Sequence, residues 1–401
     1  MPVQPTTIYD YKEPYAPLIA LLTSHLPFSG PLLRRIQHHL LHPSPTAQIL
    51  ATFPPSTTAA LQPPRPWMVF YVDIYRGLET QCWLYSSLER EVKFSTKEQL
   101  ADDRLSELNT TPENEDKARS QLLGLLSYIR TEMLPPYISW RASQTDTKKF
   151  NNLDHQLLAH PPSAVLVGSL HSGLFALLTK LDSGGVSSEF PRIKILRGGT
   201  FPNIKYLFRC PIYQPQKDSS ISSGSNSSSL PPGYRFCDRH GRQGVPRQHL
   251  GLVISHTNIP RLEETLAQMP SVALYYNSTE ADRTQTNGGK QAQDIEQPIA
   301  WCFLGSDASL CTLHVEPEHR GKGLAMLVAK EAMRRGMGVK GGFGQDDEAG
   351  LAMSLGDVEK WVFADVAVEN AASRRAMEKI GGEMGWTVNW AAIELFPDVY
   401  I

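Results

Sequence analysis

The run Leu313-His314-Val315-Glu316-Pro317-Glu318-His319-Arg320-Gly321-Lys322-Gly323-Leu324-Ala325 sets cations and glycines directly ahead of a long amphipathic stretch. It reads as a strand, a tight turn and the first turn of a helix. The first N–H groups of a helix have no intrahelical acceptor and carry the positive end of its dipole, so a turn of this kind holds a phosphate or pyrophosphate. Gly321 and Gly323 let the backbone approach such a group closely, and Arg320 and Lys322 add full positive charges.

Arg320-Gly321-Lys322-Gly323-Leu324-Ala325 resembles the Arg/Gln-x-x-Gly-x-Gly/Ala signature of the GNAT superfamily, the acyl-coenzyme A dependent N-acyltransferases. A second element similar to that family runs from Asn370 to Gly381. The resemblance implies a GNAT fold, acetyl-CoA or another acyl-CoA as co-substrate, and direct transfer of the acyl group to an amine. It implies that backbone groups of Leu313, His314 and Val315 hold the pantetheine arm and that residues Arg320 to Ala325 grip the pyrophosphate. The Val315 N–H is then the oxyanion donor, and Pro317 ends the strand because it cannot continue a ladder. Asn370 and Ser373 either contact the coenzyme arm or cap the helix starting at Ala371. Many relatives carry a tyrosine, the general acid, where this chain has Met377, and methionine has no proton to give. A motif-bearing C-terminal half behind a motif-free N-terminal half resembles the glycine N-acyltransferase-like branch.

An amine of pKa ~10 must lose a proton before it attacks. The candidates to take it are Asp307, Asp365, His314 and Glu316. Asp307 lies in a predicted hairpin turn, where it serves either as the base or as the residue that shapes the turn. Asp365 sits inside the apolar strand from Trp361 to Val368, so it either faces a cleft or is hydrogen-bonded structurally. The expected reading is an N-acyltransferase, most simply an acetyltransferase, acting on a small-molecule amine. The competing reading is a CoA-binding regulatory or interaction module.

Bulk properties exclude other classes. With 401 residues, 41% hydrophobic, the chain is long enough for two or three domains. A formal net charge of −2 offers no field for nucleic acid. Five scattered cysteines fit a reducing compartment, and the absence of a signal pattern or a long apolar run predicts a cytoplasmic protein without a membrane partner. Cys237, His240 and His249 match no common zinc spacing, so no metal is expected. Composition gives no handle on oligomeric state.

These residues need elements to place them. A Ser-rich tract at 214–232 divides an N-terminal α+β domain, 1–213, from the acyltransferase domain, 233–401. In the latter, the pattern predicts strands at Leu252–Ile254, Val272–Tyr276 and Trp361–Val368, a hairpin over 298–315, and a last strand from Trp386 to Leu395. Helices are predicted at Ile259–Leu266, Gly323–Met337 and Ala371–Ile380. In the N-terminal half, Tyr15–Leu41 and Glu113–Met133 read as helices. The hairpin predicted from Trp67 to Leu88 is similar to the one around Trp301, which leaves two readings, a degenerate copy of the same fold or an independent α+β domain. No glycine-rich turn follows Glu89, so that half is not expected to bind coenzyme A. The expected class is α+β, with a mixed, mostly antiparallel sheet and flanking helices.

Overall fold

A computed structural model describes residues 6–55, 62–77, 79–92, 94, 105–143, 160–182, 193–200, 202–210, 230–257, 259, 261–277, 296–338, 343 and 360–396. Most of the Ser-rich tract and of the polar tract after Asn277 lies outside them. The N-terminal half runs β1 (Tyr9–Tyr11), α1 (Ala16–Thr23), α2 (Gly30–Leu41), β2 (Gln48–Ala51), β3 (Met68–Val72) and β4 (Cys82–Ser86). It continues with α3 (Pro112–Tyr128), a π-helical turn (Ile129–Met133), α4 (Leu134–Ser143), β5 (Ala164–His171), α5 (Ser172–Asp182), β6 (Ile193–Arg197) and β7 (Asn203–Cys210). The C-terminal half runs β8 (Tyr234–Arg235), α6 (Leu250–Ser255), α7 (Glu263–Gln268), β9 (Ser271–Tyr276), β10 (Ala300–Leu304) and β11 (Leu310–Val315). It ends with α8 (Leu324–Gly336), β12 (Lys360–Ala367), α9 (Ala371–Ile380) and β13 (Glu383–Leu395). One order therefore occurs twice: a strand, two helices, three antiparallel strands, a helical segment, a strand, a helix and a strand, with one strand more at the end of the N-terminal half. The class is α+β, and the repeated order favours the reading of two copies.

Packing groups Met1–Phe208, Phe363–Arg374 and Gly382–Ile401 into one unit, and Arg209–Val362 with Arg375–Gly381 into another. One sheet has the order β1-β2-β3-β4-β5-β13-β7-β12, with β6 also on β13. The other sheet is β11-β10-β9-β8. Every strand pair with a defined register is antiparallel except β4 and β5, which run parallel and meet at Cys82 and Val167.

In the first unit, β3 shows why the sheet is covered on both sides. Side chains alternate along a strand. Met68, Phe70 and Val72 pack with Leu122, Leu125 and Leu126 of α3, whereas Val69 and Tyr71 pack with Leu18, Leu32 and Ile36 of α1 and α2. Helix α3 starts where its signals place it: Thr111 Oγ1 accepts from the Asn114 N–H, Pro112 follows, and Glu113 and Glu115 meet the positive end. Its predicted end at Met133 is overrun, because the helical path continues through the π turn into α4. The stretch expected as one helix, Tyr15–Leu41, is two.

One further local expectation fails for an identifiable reason. Leu252–Ile254 lies in α6, not in a strand; Leu250 and Val253 are buried at helical spacing, and three apolar residues alone cannot separate the two periods.

Three buried histidines give this unit a pH signature. Burial pushes His25 down to about 4, and His38 and His171 down to about 3. Each stays neutral in the fold, whereas an unfolded chain takes up a proton near pH 6.5. The unfolded state then binds more protons, so stability is lost as pH falls below ~6.5, by roughly 2 kcal/mol per histidine at pH 5. Glu89 works in the opposite direction, since burial raises its carboxyl to about 8. Urea unfolding of a Glu89→Gln chain is therefore expected to show a midpoint falling steeply from pH 7 to pH 5; a flat profile would mean that these imidazoles are solvated.

Candidate functional site

In the second unit, β11 is the edge strand of its sheet. Its register with β10 is irregular between Trp301 and Phe303, and Thr312 on the facing strand has φ 49°. Such an irregularity re-aims the residues that follow it. The Glu316 N–H donates to Ile299 at 2.9 Å, while the Val315 carbonyl accepts from Arg320 Nε at 2.9 Å. N–H and C=O of one residue point the same way in an antiparallel strand, so the polar groups of Val315 face away from β10.

A short 3-10 turn, Pro317–His319, leads into Arg320. Gly321 and Gly323 then adopt φ 79° and 74°, the left-handed region that a side chain strains, and α8 begins at Leu324. Among the described residues, the N–H groups of Gly321, Lys322, Gly323, Leu324 and Ala325 donate to no protein acceptor. A Cβ added at Gly321 or Gly323 would meet nothing within 4 Å. The turn thus presents open, unspent donors, which suits a diphosphate.

Sequence reading missed the aromatic rim beside this turn. Lys322 Nζ donates to Tyr234 Oη at 3.0 Å, which lies 2.8 Å from His319 Nδ1. The Tyr276 ring sits 4.9 Å from that of Tyr234 and 5.1 Å from that of His319. The Tyr234 hydroxyl raises the pKa of Lys322, so the ammonium stays charged. Tyr234 and Tyr276 lie on β8 and β9, far from the motif in sequence, and no local pattern marks them.

The sequence offers His314 and Glu316 as separate candidates for the amine's proton. The structure brings them together: His314 Nε2 is 3.5 Å from one Glu316 oxygen, and His256 Nε2 is 3.9 Å from the other. His314 stacks on the buried Trp301 at 4.5 Å. Burial lowers its pKa, against the nearby Glu316 carboxylate, which raises it.

Asp307 is buried in the hairpin turn, where Ser309 donates its N–H to one oxygen at 3.1 Å and its hydroxyl to the other at 2.9 Å. Asp365 belongs to the first unit and makes a 2.6 Å ion pair with Lys205, the two side chains 7% and 1% exposed. Asn370 Oδ1 accepts from the Ser373 N–H at 3.0 Å, as a cap of α9 does. Met377 is buried.

The N-terminal half handles its corresponding turn differently. After β4, a 3-10 turn spans Ser87–Glu91, and Ser86 and Glu89 cap it reciprocally. The Ser86 N–H donates to the buried Glu89 carboxyl at 2.8 Å. A cavity of about 10 Å³, lined in part by Trp83, Glu89, Ser169, Lys205 and Trp386, has room for a single water.

A family model described as the acyl-CoA N-acyltransferase verG N-terminal domain matches residues 5–206. The chain belongs to this family of acyl-CoA N-acyltransferases. No curated protein sequence matches it significantly. Among solved structures, the acyltransferase is similar to a Drosophila protein from structural genomics, at 11% identity over 98% of this chain and 99% of that one, with a TM-score of 0.46. A tandem GNAT protein from the clavulanic acid biosynthesis pathway shares 10% identity over 98% and 99%, with a TM-score of 0.40. A GCN5-related N-acetyltransferase from Sphaerobacter thermophilus shares 10% over 99% of both chains, with a TM-score of 0.36. Among the described residues, no helix of this acyltransferase is long and apolar enough to cross a membrane.

Proposed function

We propose that residues 233–401 carry out the transfer, taking the acyl group from acetyl-CoA and passing it to a small-molecule amine in the cytoplasm. The observation that supports this most directly is the row of uncommitted N–H groups from Gly321 to Ala325. These bind the diphosphate, with Lys322 adding charge and Arg320 held by the Val315 carbonyl at 2.9 Å. Bound acyl-CoA supplies the activated thioester. Leu313, His314 and Val315 line the edge that holds the pantetheine arm, and the outward Val315 N–H stabilises the tetrahedral oxyanion, worth about 3 to 4 kcal/mol in comparable acyl-transfer sites.

The amine's proton leaves toward His314 and Glu316, which flank Val315. Both Asp307 oxygens accept from Ser309, and one Asp365 oxygen accepts from Lys205. With Met377 in place of a proton donor, solvent protonates the departing thiolate, whose pKa lies near ~8.5. The same absence supports a second reading, a CoA-binding module without turnover. Release of free thiol from acetyl-CoA, measured against a panel of small amines, separates the two. Amine-dependent release is expected, and tight coenzyme binding with no release under any amine would favour the module.

A further inference from the structure

We infer that His256, His314 and Glu316 form a binding site for a divalent transition metal, best suited to zinc. The candidate ligand atoms, one from each residue, all lie within 4.8 Å of one another. Donors about 2.0 to 2.2 Å from a tetrahedral zinc stand about 3.4 Å apart. His314 Nε2 stands 3.5 Å from one Glu316 oxygen and His256 Nε2 3.9 Å from the other, so Glu316 reaches a shared cation through both oxygens or by turning one of them between the two rings.

The chemistry of His256 is the second support. Its Nδ1 lies 2.9 Å from the Leu252 carbonyl, and a carbonyl can only accept, so Nδ1 carries the hydrogen. In the neutral ring, Nε2 therefore presents a lone pair toward the Glu316 carboxylate. A hydrogen bond from the far nitrogen to a carbonyl is how metal-binding histidines are oriented. His314 Nε2 is buried and forms no well-aligned hydrogen bond among the described residues. The His256 lone pair and the Glu316 carboxylate thus converge beside a buried imidazole nitrogen, and a cation relieves the repulsion between them.

The rings are also held in place beforehand. His314 stacks on Trp301 with an interplanar angle of 21°, and His256 meets the edge of the same ring at 82°. Trp301 is fully buried, so the two ligands rest on a rigid support. Two imidazoles and one carboxylate leave a fourth tetrahedral position for water. A cation held there occupies the groups that the proposed transfer uses as proton acceptors, so zinc is expected to inhibit that transfer. His256 lies 58 positions before His314, outside any short metal-binding spacing, so the sequence does not announce the set.

The full-length chain, stripped with chelator and dialysed back, should take up about one equivalent of Zn²⁺ by elemental analysis. Co²⁺ used as a probe should give the visible absorption of a four-coordinate nitrogen and oxygen site. His256→Ala, His314→Ala and Glu316→Gln are each expected to weaken uptake at least about tenfold. His249→Ala, outside the cluster, should leave it unchanged. Circular dichroism and the urea midpoint report whether the variants remain folded. Absence of stoichiometric uptake, or uptake that survives all three substitutions, would overturn the assignment; in the first case a proton on His256 Nε2 bridges the cluster instead.

Discussion

Gly323→Glu is expected to abolish coenzyme A binding, with a loss of affinity of at least about 100-fold, while the chain stays folded. Gly323 sits at φ 74°, and a Cβ added there meets nothing within 4 Å, so a side chain leaves the backbone into open space. It does place a carboxylate within the cradle of N–H groups, where it satisfies those donors and repels a diphosphate. The left-handed backbone adds a cost of about 1 to 2 kcal/mol, which must be separated from the charge effect. Gly323→Ala carries the strain without the charge and should retain most of the affinity. Isothermal titration of the three chains with coenzyme A decides the matter. If Gly323→Glu binds as tightly as the parent, the anion site lies elsewhere and the proposed function loses its support.

Asp365→Ala should destabilise the chain by about 3 to 5 kcal/mol and leave coenzyme affinity unchanged. The partner is Lys205, 1% exposed, whose ammonium would be left buried without its counter-charge. The ring of Phe363 lies 5.6 Å from that ammonium and cannot replace a carboxylate. Replacing both residues, Lys205→Met with Asp365→Leu, should recover most of the loss, because removing a whole buried pair is often neutral or stabilising. Denaturant midpoints of the single and double variants test this. Should Asp365→Asn instead stop amine-dependent thiol release with no change in midpoint, Asp365 is the proton acceptor after all.

What the chain disclosed in advance was local. The strand, turn and helix around Arg320 were legible because glycine, proline and charge follow one another within thirteen residues and each dictates backbone geometry where it stands. Helix α9 fell on its predicted bounds for the same reason. The resemblance between the hairpins of Trp67 and Trp301 pointed to the repeated order of elements. Residues that act through distant partners stayed hidden. Lys205 reads as an ordinary lysine in an apolar strand until β12 brings Asp365 to it. His256 reads as the end of a short apolar run, and only the placement of α6 beside β11 gives it a role. The last strand belongs by pattern to the C-terminal half, yet β13 pairs with β5, β6 and β7. Alternation along a strand reveals which face is buried but not which neighbour hydrogen-bonds to it.

The capping box after β4 has a consequence for the duplicated architecture. The buried Glu89 carboxyl takes up the Ser86 N–H after β4, whereas the N–H groups from Gly321 to Ala325 have no acceptor among the described residues. One half is stoppered by its own side chain and the other is left open. A chain with one open row of donors is expected to bind one nucleotide per polypeptide, which gives a hyperbolic rather than sigmoidal dependence on donor concentration.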